Sequence, residues 1–168
     1  SWGIGATYVT TAGDTTLTIG GGVSDGEVAN NGTQGPDKGG FNVGVSAVTG
    51  DLTIGVGYGD GDTFVANDAT ATSNRQVDGS VTVMGAKYVT GDITLAIGVT
   101  SGEAKDSDTF GTAGTTDDSH DSTSASVTYA VASGVSAVVG YTTVDTNNEG
   151  VSTTDGGSAW YVLSLIHI

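Results

Sequence analysis

Hydrophobic and polar residues alternate with a period of two over much of the chain. Leu52, Ile54, Val56 and Tyr58 are interleaved with Thr53, Gly55, Gly57 and Gly59, and Ile93, Leu95, Ile97 and Val99 with Thr94, Ala96, Gly98 and Thr100. Successive side chains of a strand point to opposite faces, so each run predicts a strand with one large apolar face and one small or polar face. Read in this way, the chain is predicted to form strands over 2–12, 15–24, 39–49, 52–60, 78–90, 93–102, 122–132, 135–145 and 158–163. No run reaches the roughly 18 apolar residues of a spanning helix. The longest candidate, Tyr129 to Tyr141, is broken by Ser133-Gly134 and reads as two strands.

The strands come in repeated pairs. Tyr8-Val9-Thr10-Thr11-Ala12-Gly13-Asp14 is echoed by Ala47-Val48-Thr49-Gly50-Asp51-Leu52-Thr53 and by Tyr88-Val89-Thr90-Gly91-Asp92-Ile93-Thr94, with a looser copy from Val127 to Gly140, at a spacing of about 40 residues. Gly-Asp or Ser-Gly between two alternating runs predicts a hairpin turn, because glycine supplies the positive φ that tight hairpin connections need. After the first, third, fifth and seventh strands the connections are tight. After the others they are long and rich in Asp, Asn, Gly, Ser and Thr, so the tight turns are expected at one end of the sheet and the long loops at the other.

Composition narrows the class. Four Lys or Arg against nineteen Asp or Glu give a formal charge of −15. A nucleic-acid partner is excluded, since cationic side chains drive binding to phosphates. The absence of cysteine removes disulfide frameworks and thiolate metal sites. Although 29 glycines and high acidity suggest disorder, a charged fraction of 14% and near-zero mean hydropathy (+0.02) argue for an ordered chain.

An alternating sheet can pack its apolar face in a soluble sandwich or turn it to lipid around a wet lumen. Three features favour the lipid-facing arrangement. The face opposite the apolar one carries Thr, Ser, Gly and Ala rather than Lys and Glu. Strands of about ten residues, tilted by about 40°, span roughly 25 Å, the height of an outer-membrane apolar band. The aromatics fall at strand ends: Tyr8, Tyr88 and Tyr129 just before tight turns, and Trp2, Phe41, Tyr58, Tyr141 and Trp160 near the long loops. Two belts of Tyr, Trp and Phe are what the boundaries between water and lipid select. The expected fold is all-β, an antiparallel up-and-down transmembrane β-barrel, here a partial barrel of about nine strands over residues 1–163.

The repeated Tyr-Val-Thr-Gly-Asp-hydrophobic-Thr phrase, the glycine-rich alternation and the acidic loops resemble the C-terminal half of a general porin of Gram-negative bacteria, of the alphaproteobacterial type. The resemblance covers residues 1 to about 163 and rests on pattern, not on a catalytic signature. It implies the last nine strands of a 16-stranded homotrimeric barrel of the outer membrane, embedded in membrane lipid and lipopolysaccharide and passing ions and small hydrophilic solutes passively. Two departures stand out. Family chains close on an aromatic residue, whereas Ser164-Leu165-Ile166-His167-Ile168 follows Trp160-Tyr161-Val162-Leu163 here, so 164–168 reads as a non-native tail. The first half of the family, with its constriction loop, has no counterpart in this chain.

Motifs with chemical potential are few. Gly22-Val23-Ser24-Asp25-Gly26 fits the nucleophile-elbow pattern, but that pattern needs a strand turning into a helix, and an enzyme is not expected. Asp106, Asp108 and Asp117 partly mimic a calcium loop, with Phe110 in place of an oxygen ligand and an Asp where a longer Glu is usual. No cofactor is expected, calcium at these loops being the one candidate. A lone His120 among acids carries no metal expectation.

Lys87 stands between Ala86 and Tyr88 of the apolar face and is therefore expected to point, with Thr18, Thr53, Thr94 and Thr128, to the opposite, pore-lining face. Scarcity of Lys and Arg predicts a preference for cations. A surface-displayed adhesive or structural β-protein is the alternative.

Overall fold

The computed structural model describes residues 1–30, 33–65, 75–105, 118–147 and 154–166. They form nine strands: β1 (Trp2–Ala12), β2 (Thr15–Asn30), β3 (Thr33–Thr49), β4 (Leu52–Val65), β5 (Arg75–Thr90), β6 (Ile93–Lys105), β7 (Asp118–Ala132), β8 (Val135–Asn147) and β9 (Thr154–Ile166). Each pairs antiparallel with its neighbours in sequence, giving one nine-stranded sheet in the order β1 to β9. The two outer strands are not paired with each other, so the sheet is a partial barrel.

The tight turns sit where expected. Gly13, Gly50 and Gly91 open their turns with φ between 54° and 60°, which places a positive φ at the first central position, as the primed hairpin turns require. The fourth turn is built differently. Ser133 comes first, Gly134 follows at φ 77°, and the register of β7 against β8 slips between Ala130 and Ala132. The extra residue in β7 is the bulge that accommodates the different turn. Replacing Gly50 by valine is expected to destabilise the protein by about 1–2 kcal/mol through the left-handed backbone alone, since no neighbouring atom approaches the added Cβ. Urea unfolding of the complete protein measures it, and an unchanged midpoint would show the turn free to change type.

Every strand after the first runs further toward the loop end than alternation predicts. β2 continues to Asn30 rather than 24, and β3 begins at Thr33 rather than 39. Gly39, Lys38 and Asp37 have little strand preference of their own, but they complete a ladder with Asp25, Gly26 and Glu27 that the apolar part of each strand has already set in register. At the other end of the chain, β9 runs past Leu163, with Ser164, Leu165 and Ile166 opposite Ala137, Ser136 and Val135.

Directly paired residues share a face. Following the pairs across the sheet assigns every strand residue to one of two surfaces. One holds Ile4, Ile19, Val45, Val56, Met84, Val99, Val127 and Val139; the other holds Thr7, Gly20, Gly44, Gly57, Val83, Thr100 and Ser122. β9 keeps the alternation only through Trp160, because Tyr161, Leu163 and Leu165 all fall on the small-residue surface. No apolar residue among those described is buried, and the large face stands uncovered, with Ile4 at 69% and Ile97 at 52% exposure. A soluble sheet would hide these side chains under a second layer; among the described residues there is none.

Candidate functional site

The small-residue face is concave. A hollow of about 770 Å³ lies over the directly paired Thr7, Gly20, Gly44, Gly57 and Val83 of β1 to β5. A hollow shared by five adjoining strands fits a sheet that curves toward that face. Glycine permits the curvature by leaving the inner surface without side chains that would collide as strands tilt together. On the same face stand Thr18, Thr53, Thr94, Thr128 and Lys87. The four threonines are half-buried and Lys87 is exposed.

All eight aromatics named from the sequence stand on the convex, apolar face, and the register shows how they are levelled. Tyr8 lies in a row of paired residues that reaches Met84 on β5, four strands away, and Tyr88 is four residues nearer the turns than Met84. The row from Tyr88 reaches Val127 on β7, and Tyr129 is again two residues nearer the turns after two strands. The loop-side aromatics obey the same rule. Phe41 is two residues below the row of Trp2 after two strands, and Tyr141 is four residues below the row of Tyr58 after four. A belt that descends one residue per strand is level only if the strands are inclined. A rise of about 3.3 Å per residue against a strand spacing of about 4.8 Å gives a tilt of about 35°, within the range of closed β-barrels.

Between the belts, the convex face of β1 to β8 is apolar: Ile19, Val45, Ile54, Met84, Ile97 and Val139 are typical. On β9 the same band contains Ser164. Immediately above the loop-side belt come outward carboxylates, Asp25, Asp60, Glu103, Asp121 and Asp145. Belt and carboxylates touch: the Tyr58 hydroxyl donates to Asp60 Oδ2 at 3.0 Å. Phe41 and Tyr58 are tilted against each other with centroids 5.7 Å apart, and Tyr141 and Trp160 at 4.5 Å. Alternation carries Asp60 and Asp145 onto the face of Tyr58 and Tyr141, whereas Asp25, Glu103 and Asp121 lie beyond the predicted strand ends and are placed outward by the strand register.

The remaining candidates separate. Ser24 lies within extended β2, paired to Gly3 and Gly40, and not on a strand-to-helix elbow. His120 is exposed on the concave face opposite Gly102. Asp106, Asp108 and Asp117 lie outside the described residues. Among the described residues, no group of three or more His, Asp or Glu is arranged to hold a metal.

A family model described as Gram-negative porin matches residues 1–149. The chain belongs to this family. Its place is the bacterial outer membrane. The porin fold is shared with solved structures at low identity. A BenF-like porin from Pseudomonas fluorescens Pf-5 superposes with a TM-score of 0.61 at 19% identity, over 97% of this chain and 48% of that one. OccK2 of Pseudomonas aeruginosa, solved in complex with glucuronate, gives 0.62 at 14%, over 99% and 50%. OmpT of Vibrio cholerae, in a trimer form, gives 0.57 at 18%, over 94% and 54%. This porin chain therefore spans about half the length of the structures it resembles. No curated protein sequence matches it.

Proposed function

We propose that the complete protein is a passive diffusion channel for ions and small hydrophilic solutes, with a preference for cations. The observation that carries the reading is the division of the sheet into two surfaces. The convex one is levelled like a lipid boundary, and the concave one is lined by glycine and hydroxyl side chains that wet easily and bind nothing tightly. A wall of this kind discriminates by size, and charges near the mouths add an electrostatic bias.

Net charge supports the sign of that bias. Asp25, Asp60, Glu103, Asp121 and Asp145 stand at the loop end, and Asp14, Asp51 and Asp92 lie in the tight turns at the other. Both mouths are therefore negative, and fixed negative charge within a Debye length of the path raises the local cation concentration. Planar-bilayer recording of the complete protein in a potassium chloride gradient tests this. A reversal potential of the cation-selective sign is expected, shrinking as salt rises from 0.1 M, where the screening length is about 10 Å, to 1 M, where it is about 3 Å. Anion selectivity, or the absence of channels, would overturn the proposal. Assembly as a homotrimer, contact of the outward carboxylates with lipopolysaccharide, and calcium at Asp106, Asp108 and Asp117 belong to the same proposal. Cross-linking in the native membrane and calorimetric titration with calcium are their tests.

A further inference from the structure

The strand tilt assigns each residue of the concave face a height, and this exposes an arrangement that periodicity alone does not. Thr18 pairs directly with Ser46, Thr53 with Lys87, and Thr94 with Thr128. Each of these pairs joins strands connected by a long loop. Within each hairpin the next member is displaced by two residues: Thr7 faces Gly20 two residues above Thr18, Ser46 faces Gly55 two above Thr53, Lys87 faces Ala96 two above Thr94, and Thr128 faces Val138 two above Ser136. A shift of none and then of two averages one residue per strand, the descent already seen in the aromatic belts. Thr7, Thr18, Ser46, Thr53, Lys87, Thr94, Thr128 and Ser136 therefore lie at one height, one from each of β1 to β8, level with the turn-side belt of Tyr8, Tyr88 and Tyr129.

The collar is hydroxyl at every strand but β5, where it is an ammonium group. Lys87 is exposed and has no hydrogen bond or ion pair with any described residue. Its lateral neighbours on the concave face are Thr53 and Ala96. The other titratable groups placed on that face with described side chains are Tyr161, about 11 Å above the collar, and His120 and Asp118 near the loop end, about 22 and about 27 Å above it, at about 3.3 Å rise and 35° tilt. Asp51 and Asp92 lie on the turns below. A charge with no ion pair among the described residues, in a ring otherwise of hydroxyls inside a low-dielectric wall, projects its field across the water path.

We infer that Lys87 is the residue by which this part of the wall sets charge preference: it draws small anionic solutes to the hydroxyl collar and restrains the cation preference produced by the acidic mouths. The inference rests on the reading of the concave face as the lumen. Collar hydroxyls donate to an oxyanion that Lys87 attracts, so the favoured class is small carboxylates and phosphate.

The test uses the complete protein in planar bilayers. In 0.1 M salt, Lys87→Gln is expected to raise the cation-to-anion permeability ratio roughly twofold and Lys87→Glu further, with Lys87→Arg unchanged and all differences fading at 1 M. In the complete protein, with any other cysteine replaced, Lys87→Cys provides a site that is modified after assembly, which separates charge from folding. A cationic thiosulfonate is expected to restore the wild-type reversal potential and an anionic one to move it the other way. If the modified channels conduct with altered current but identical reversal potentials, the role of Lys87 is overturned while the lumen reading stands. If the introduced thiol is inaccessible to both reagents in conducting channels, the lumen reading fails first and the inference with it.

Discussion

Lysine in place of Val45 is expected to destabilise the assembled protein by about 2–4 kcal/mol, the penalty for a charge near the middle of a lipid-facing band. Lysine at the next residue, Ser46, should change stability by no more than about 0.5 kcal/mol. The two positions share a strand, a neighbourhood and a height within one residue, and differ in the face they occupy. Val45 stands on the convex face between the two aromatic belts, whereas Ser46 belongs to the concave collar. Urea unfolding of the complete protein in detergent or lipid, or the fraction that resists denaturation by dodecyl sulfate before heating, measures both. Equal costs would mean that the two faces do not see different media, and the assignment of lipid and water would fall.

Replacing Gly140 by alanine is the other large expected effect, about 1–3 kcal/mol. Gly140 is buried, alone among the described residues, and it is covered by the ring of Tyr161, its direct partner on β9. A methyl group built on Gly140 overlaps that ring. The glycine leaves a notch in the inner wall and the tyrosine lies down in it, so that an aromatic on the concave face adds contact between β8 and β9 without standing out into the space beyond. Alanine forces the ring to lift. A double variant carrying Tyr161→Ala as well should recover part of the loss, because the overlap disappears with the ring. Additive losses in the double variant would show that the two residues act independently.

Much of the fold was legible because the chain repeats one simple instruction. Alternation identified nine strands, and the Gly-Asp pairs located three of the four tight turns. The fourth, Ser133-Gly134, was found as a turn, but its bulge was not visible, since Val131 reads as an ordinary member of an apolar run until pairing shows it to be extra. The loop-side ends were under-read for a related reason. Residues such as Lys38 and Ser119 carry no period of their own and become strand only by pairing with a neighbour. The aromatic and small faces were also legible, residue by residue. What a list of strands cannot supply is the relation of one strand to the next, and for that reason the levelled collar with Lys87 and the seating of Tyr161 on Gly140 appeared only with the register.

Counting strands has a directional consequence. With nine in sequence, β1 and β9 both run from the loop end toward the turn end. Placed side by side they would meet as a parallel pair, breaking the antiparallel ladder that every other seam obeys. Any segment that closes this wall with antiparallel seams on both flanks must therefore contribute an odd number of strands, and a second copy of the same nine, joined edge to edge at both seams in the same orientation, would make two parallel joints. Parity thus restricts what can complete the cylinder independently of any side chain.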